Sequence, residues 1–122
     1  MKMAGFHLLV TDDDAGMRYA VRRLVLRHFP DAKITEAKDG AEALKFYKES
    51  GADLVIMDYR MPQMDGLELL RAILAEPDPV PTIMISSHPI RAEALAAGVT
   101  AYVDKGDLVK SLVPVIAGLL PK

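Results

Sequence analysis

Asp12, Asp13 and Asp14 stand in one run, Asp58 closes the apolar stretch Leu54-Val55-Ile56-Met57, Ser86 ends a second such stretch, and Asp104 and Lys105 follow a third. Carboxylates brought to one place repel one another. At neutral pH they stay together only where a cation neutralises them or a proton is shared. With no histidine or cysteine beside them, the ligands would be oxygen alone, which suits a hard cation. Magnesium takes one or two carboxylates, keeps several waters and bridges to phosphoryl oxygens, so it fits this inventory better than calcium with its larger oxygen cage. Such a metal, the Lys105 ammonium, the Ser86 hydroxyl and one further carboxylate are the parts that hold a phosphoryl group in line. A carboxylate left over could act as the nucleophile and carry an aspartyl phosphate.

These residues act together only if the fold brings them to one edge. Five short apolar runs, at residues 6–11, 32–35, 54–58, 82–86 and 100–104, alternate with amphipathic segments. Most are continuous rather than alternating, the pattern of strands covered on both faces. Between them, Met17, Ala20, Val21 and Leu24 share a helical face, as do Ala41 and Leu44, then Leu67, Leu70 and Leu74. The alternation predicts right-handed crossovers and an α/β fold, a doubly wound five-stranded parallel sheet with helices on both faces. Sites in such sheets form beyond the carboxyl ends of the strands, near the point where the strand order reverses. Asp12, Asp13, Asp58, Ser86, Asp104 and Lys105 all fall on that edge.

The bulk numbers narrow the classes of function. A chain of 122 residues suits one domain that buries about two thirds of its unfolded surface without a staple. Its net charge is -2, with 26% charged residues spread along the chain, so no basic stripe invites nucleic acid. There is no cysteine, which excludes thiol and disulfide chemistry. The opening MKMAGFHLLV imitates a signal peptide briefly, but its apolar part is short and runs into the acidic triplet. No segment is long enough to span a bilayer, and a cytoplasmic location is expected.

In order and spacing, LLVTDDD, DLVIMDYRMPQMDGLELL, TIMISS and AYVDKG resemble the receiver domain of two-component response regulators over nearly the whole chain. The block from Asp58 to Leu70, Asp-x-x-Met-Pro-x-Met-Asp-Gly-x-Glu-Leu-Leu, is the specific part. The resemblance implies a flavodoxin-like (βα)5 fold and a single receiver domain over residues 1–122. It implies a signalling switch rather than an enzyme. Asp58 would accept the phosphoryl group from the phosphohistidine of a sensor histidine kinase or phosphotransfer protein. Asp12 and Asp13 would hold magnesium directly or through water, with Asp58 and the Arg60 main-chain carbonyl completing the metal site. Lys105 would pair with phosphoryl oxygens, Ser86 would move toward them, and Tyr102 would be the aromatic switch. The face made by the fourth helix, fifth strand and fifth helix would then control a second copy or an output domain.

Other positions have plainer readings. Asp14 suits a helix N-cap. Met61, Pro62 and Met64 suit loop packing, and Gly66 a turn into a helix. Arg22, Arg23 and Arg27 read as a solvated helix face, and Thr11 stands where receivers usually carry an aliphatic residue. Gly106 follows Lys105 where many receivers have proline, and the segment between Ser86 and Gly98 is shorter than usual by about one helical turn, roughly three to four residues. Pro114, inside the last apolar run, predicts a kink or a restart. Two rival readings remain open. A phosphohydrolase of the haloacid dehalogenase type would use Asp12 as nucleophile, and a degenerate receiver or a flavodoxin-like cofactor domain would only bind.

Overall fold

Each continuous apolar run folds as a strand: β1 (His7–Thr11), β2 (Lys33–Ala37), β3 (Leu54–Asp58), β4 (Thr82–Ser86) and β5 (Ala101–Asp104). The helices between and after them are α1 (Ala15–His28), α2 (Gly40–Ser50), α3 (Gly66–Leu74), α4 (Arg91–Ala97) and α5 (Leu108–Leu119). A computed structural model describes residues 5–120. The first four residues of the leader-like opening lie outside that range. All strand pairs are parallel and the order across the sheet is β2-β1-β3-β4-β5. The chain therefore winds outward from β1 in one direction and then, from β3, in the other.

Successive side chains of a strand point to opposite faces, so one apolar run feeds two cores. Val10 and Ile56 pack with Val21 and Val25 of α1 and Leu112 and Ile116 of α5. Leu9, Val55 and Met57 pack on the other face with Ala43 of α2, Leu70 and Ile73 of α3 and Ala94 of α4. All five residues of β3 are buried. That burial is why its sequence does not alternate.

The strand boundaries read from sequence shift at three places. β2 begins one residue later than expected and runs on through Glu36 and Ala37, which pair with Val10 and Thr11. An edge strand with one neighbour tolerates a polar Glu36, so apolarity alone ended it too early. Phe6 and Thr100 lie just outside β1 and β5.

Of the kink or restart expected at Pro114, the restart does not occur, because α5 runs through that residue as one helical element. Pro114 and Lys110 are both exposed, so the helix passes the proline on its solvent side, where a carbonyl that loses its donor can turn to water. α4 forms despite the short segment, with seven residues, no side-chain N-cap and Gly98 closing it at φ 109°.

Thr11 is 1% exposed, and its hydroxyl is the buried side-chain polar atom without a hydrogen-bond partner among the described residues. Thr11→Val removes that hydroxyl at nearly constant shape. The expected result is a gain of about 1 kcal/mol in urea unfolding. Equal or lower stability would mean that the hydroxyl is paired in solution.

Candidate functional site

Because β1 and β3 are neighbours whose chains leave toward opposite faces of the sheet, their carboxyl ends border the crevice at which such folds bind ligands. Asp12 follows β1, where its N–H donates to the Ala37 carbonyl at 3.1 Å and its Oδ1 accepts from the Asp14 N–H at 2.9 Å. Asp58 is the last residue of β3. Asp12, Asp13 and Asp58 each offer a carboxylate oxygen, all within 4.8 Å of one another. Asp12 and Asp58 are buried and Asp13 is exposed. Asp14 is not part of the group, because its side chain caps α1 by accepting from the Gly16 N–H at 2.9 Å. Asp104 is exposed and also stands outside the cluster.

Lys105, one residue past β5, reaches back to place Nζ 3.1 Å from Asp58 Oδ1. Ser86 ends β4 and is 1% exposed, with its Oγ accepting from the His88 N–H at 2.8 Å. Tyr102 is buried in β5, and its hydroxyl donates to the His88 carbonyl. Arg60 is exposed and, with Asp13, Met61 and Pro62, lines a cleft of about 340 Å³.

One ammonium faces three carboxylates, and the titration of the group reflects that imbalance. Burial, then the charges of Asp58 and Asp13, push Asp12 up to about 6, against a backbone hydrogen bond from Asp14 and the charge of Lys105. Burial likewise raises Asp58, although its hydrogen bond and ion pair with Lys105 oppose the rise. Burial works to lower Lys105, but the hydrogen bond and charge of Asp58, then the charges of Asp12 and Asp13, outweigh it and hold the ammonium above its usual range. A hard cation suits a donor set of this kind, oxygen only and short of positive charge.

The sign of a stability measurement follows. Folded Asp12 binds its proton more tightly than the unfolded chain does, so between about pH 4 and pH 6 the native state holds more protons. Metal-free stability from this group is therefore greatest below that window and falls as pH rises through about 6. At about 1.4 kcal/mol per pKa unit the loss is on the order of 3 kcal/mol. Asp12→Asn keeps the acceptor for Asp14 but not the charge. In a chelator, it should unfold at higher urea than the parent at pH 7.5 and at the same urea at pH 4. A variant less stable at pH 7.5 would reverse the sign and contradict the burial argument.

A family model for the response regulator receiver domain matches residues 8–116. The chain belongs to that family. This receiver is 40% identical over 105 residues to a protein-glutamate methylesterase/protein-glutamine glutaminase of Methanosarcina mazei, covering 81% of the chain and 29% of the relative. It is 34% identical over 106 residues to the cyclic di-GMP phosphodiesterase response regulator RpfG of Xanthomonas campestris, covering 83% of the chain and 28% of the relative. The chain thus spans under a third of either relative. Among solved structures, the response regulator domain of Thermotoga maritima CheB superposes with a TM-score of 0.83 at 30% identity, covering 94% of this chain and 96% of that one. The dehalogenase-type and cofactor-domain readings fall with this assignment. The fold expected from sequence, a flavodoxin-like five-stranded receiver, is the fold observed.

Two positioning devices of the receiver site were not legible as such in its sequence. The first is Arg18, whose Nη1 donates to the Asp12 carbonyl at 2.7 Å while Nε donates to Glu36 at 3.1 Å. Arg22 adds a second ion pair to Glu36 at 3.5 Å. Arg18 lies outside the solvated face read from Arg22, Arg23 and Arg27, and it forms a tether from β2 to the acidic turn. The spacing of Arg18 and Arg22, four apart beside an acidic triplet, was the available signal. The second is Gly66, whose N–H donates to the Tyr59 carbonyl at 2.7 Å. A Cβ there would lie 2.5 Å from the Asp58 carbonyl oxygen, so glycine lets the loop close onto the end of β3. Asp65 and Glu68 complete a capping box at the start of α3, and Met64 packs against Gly40.

Proposed function

We propose that this receiver is a phosphorylation-controlled switch in which Asp58 takes a phosphoryl group from the phosphohistidine of a sensor histidine kinase or phosphotransfer protein. One observation carries the reading: Asp58 is buried in a rigid strand, 3.1 Å from Lys105, and shares a 4.8 Å cluster with Asp12 and Asp13. Magnesium suits that oxygen set, with Asp12, Asp13, Asp58 and the Arg60 main-chain carbonyl as its holders, and when bound it would neutralise charge on the phosphoryl oxygens. A carboxylate oxygen of Asp58 attacks phosphorus, an O–P bond forms, and the N–P bond breaks with its electron pair returning to the imidazole. Lys105 then exchanges part of its contact with Asp58 for a phosphoryl oxygen. Ser86 turns from the His88 peptide to donate to another.

The residues of the chain act as one receiver unit on this reading, in the cytoplasm, without touching nucleic acid or membrane. No described helix is long and apolar enough to cross a bilayer. The turn of Ser86 away from the His88 peptide, which Tyr102 also holds, would be read on the α4-β5-α5 face, by a second copy or by an adjoining output domain. The exposed Val109 of α5, at 79%, is available for that contact. Incubation with acetyl phosphate and magnesium, followed by mapping of the modified residue, tests the proposal. Modification at Asp12, or none, would sink it.

Hydrolysis of an aspartyl phosphate needs a water opposite the leaving carboxylate, so flanking side chains set its lifetime. Arg60 is exposed and makes no ion pair among the described residues, which leaves its guanidinium fork for phosphoryl oxygens. Arg60→Asn should shorten the phosphoprotein half-life at saturating magnesium roughly tenfold, as loss of a charge-assisted hydrogen bond would. His88→Ala should act more weakly, since that imidazole packs edge-on to Tyr59 at 5.8 Å. An unchanged or longer half-life in Arg60→Asn would exclude shielding by the arginine.

A further inference from the structure

Ser86 and Tyr102 converge on one peptide group. Ser86 Oγ accepts from the His88 N–H at 2.8 Å and lies 3.3 Å from the His88 carbonyl, to which the Tyr102 hydroxyl also donates. Over the face of the Tyr102 ring sits the guanidinium of Arg91, 4.8 Å from the ring centroid. Arg91 is the first residue of α4, the seven-residue helix without a side-chain cap. The tyrosine is therefore held at its tip by a hydrogen bond and across its face by a cation.

When Ser86 turns toward a phosphoryl group, it gives up both contacts with the His88 peptide. A part-buried carbonyl stripped of its donor would oppose that turn. The Tyr102 hydroxyl remains on the carbonyl, so Ser86 can leave without orphaning it, provided the ring stays inward. We propose that Arg91 is a positioning residue for phosphoryl binding: by stacking on Tyr102 it keeps the tyrosine hydroxyl on the His88 carbonyl and so frees Ser86. The inference rests on the reading of Asp58 as phosphoacceptor. It assigns a role to a residue that lies on a different element and touches neither the carboxylates nor Lys105.

Two measurements on the full chain test it. The first uses ring-labelled tyrosine in the unmodified protein, whose four tyrosines include Tyr19 on α1 and Tyr47 on α2 as references. Arg91→Ala should move the Tyr102 ring signals and leave those two in place. The second is the affinity for beryllofluoride at saturating magnesium. Arg91→Ala should weaken it roughly two- to fivefold, the size of a cation–π contact at a partly exposed site, and Arg91→Lys should restore most of the loss. In a Tyr102→Leu background, Arg91→Ala should add nothing further. An unchanged affinity in Arg91→Ala, or the same factor with and without the tyrosine ring, overturns the proposal. A wild-type protein that takes no beryllofluoride overturns the phosphoacceptor reading on which it stands. Unmoved Tyr102 signals in Arg91→Ala overturn the stacking itself, whatever beryllofluoride does.

Discussion

Asp58→Asn is expected to take up no phosphate from acetyl phosphate while folding at least as stably as the parent in the absence of metal. The loss follows from the chemistry, because a carboxamide is not a nucleophile toward phosphorus and the remaining acids lie on another strand end. The retained stability follows from electrostatics. Burial raises the Asp58 pKa more than the Lys105 hydrogen bond and charge lower it, so the ionised carboxylate weakens the metal-free fold at neutral pH. Asparagine keeps the shape at the end of β3 and relieves that penalty. Lys105 loses its partner but is 28% exposed in its side chain, so its ammonium can still be hydrated. Mass spectrometry after incubation, together with urea unfolding in chelator, checks both halves. Normal labelling would remove the central claim, and a variant that fails to fold would show that the Asp58–Lys105 pair stabilises more than burial costs.

Gly66→Ala should be the most damaging single methyl in the described structure. An added Cβ would sit 2.5 Å from the Asp58 carbonyl oxygen and 3.0 Å from the Tyr59 Cα. Both neighbours are backbone, one of them in a fully buried strand, so neither gives way as a flexible side chain would. Overpacking of this kind costs about 1–3 kcal/mol, and the better helix propensity of alanine offsets at most about 1 kcal/mol of it. The relief available is to push the 59–65 loop away from the strand end, lengthening the 2.7 Å hydrogen bond from Gly66 to Tyr59 and displacing the Arg60 carbonyl. A misplacement of about 1 Å can slow an in-line transfer about a hundredfold. Gly66→Ala should therefore lower the urea midpoint and slow acetyl phosphate labelling by roughly tenfold or more, since even a partial shift of the loop disturbs the line of attack. Gly118→Ala is the control, since a Cβ there meets nothing within 4 Å. If the two alanine variants behave alike, the close approach at Gly66 is not what the loop depends on.

Much of this molecule was legible before folding. The continuous apolar runs ending in Asp58 and Ser86 mark strands covered on both faces, and β3 and β4 begin and end where those runs do. Asp14 reads as an N-cap from its place before the first helical face, and it caps α1. These features are local, carried by a few consecutive side chains and the period at which they repeat. Where tertiary pairing took over, local reading failed. β2 extends past its apolar run because Val10 and Thr11 supply backbone partners.

By itself the sequence determined which residues could do chemistry, the parallel α/β architecture and the edge of the sheet on which Asp12, Asp13, Asp58, Ser86 and Lys105 must meet. Residue type and periodicity suffice for that, since strand direction alone sends every β-to-α turn to one edge. Only the tertiary structure decided that Lys105 lies 3.1 Å from Asp58, that Arg18 ties the Asp12 carbonyl to Glu36, and that Arg91 stacks on Tyr102. Each of these joins residues from different turns or elements. Their geometry is set by how helices pack on the sheet, a sum of many dispersed contacts that no short stretch of chain encodes.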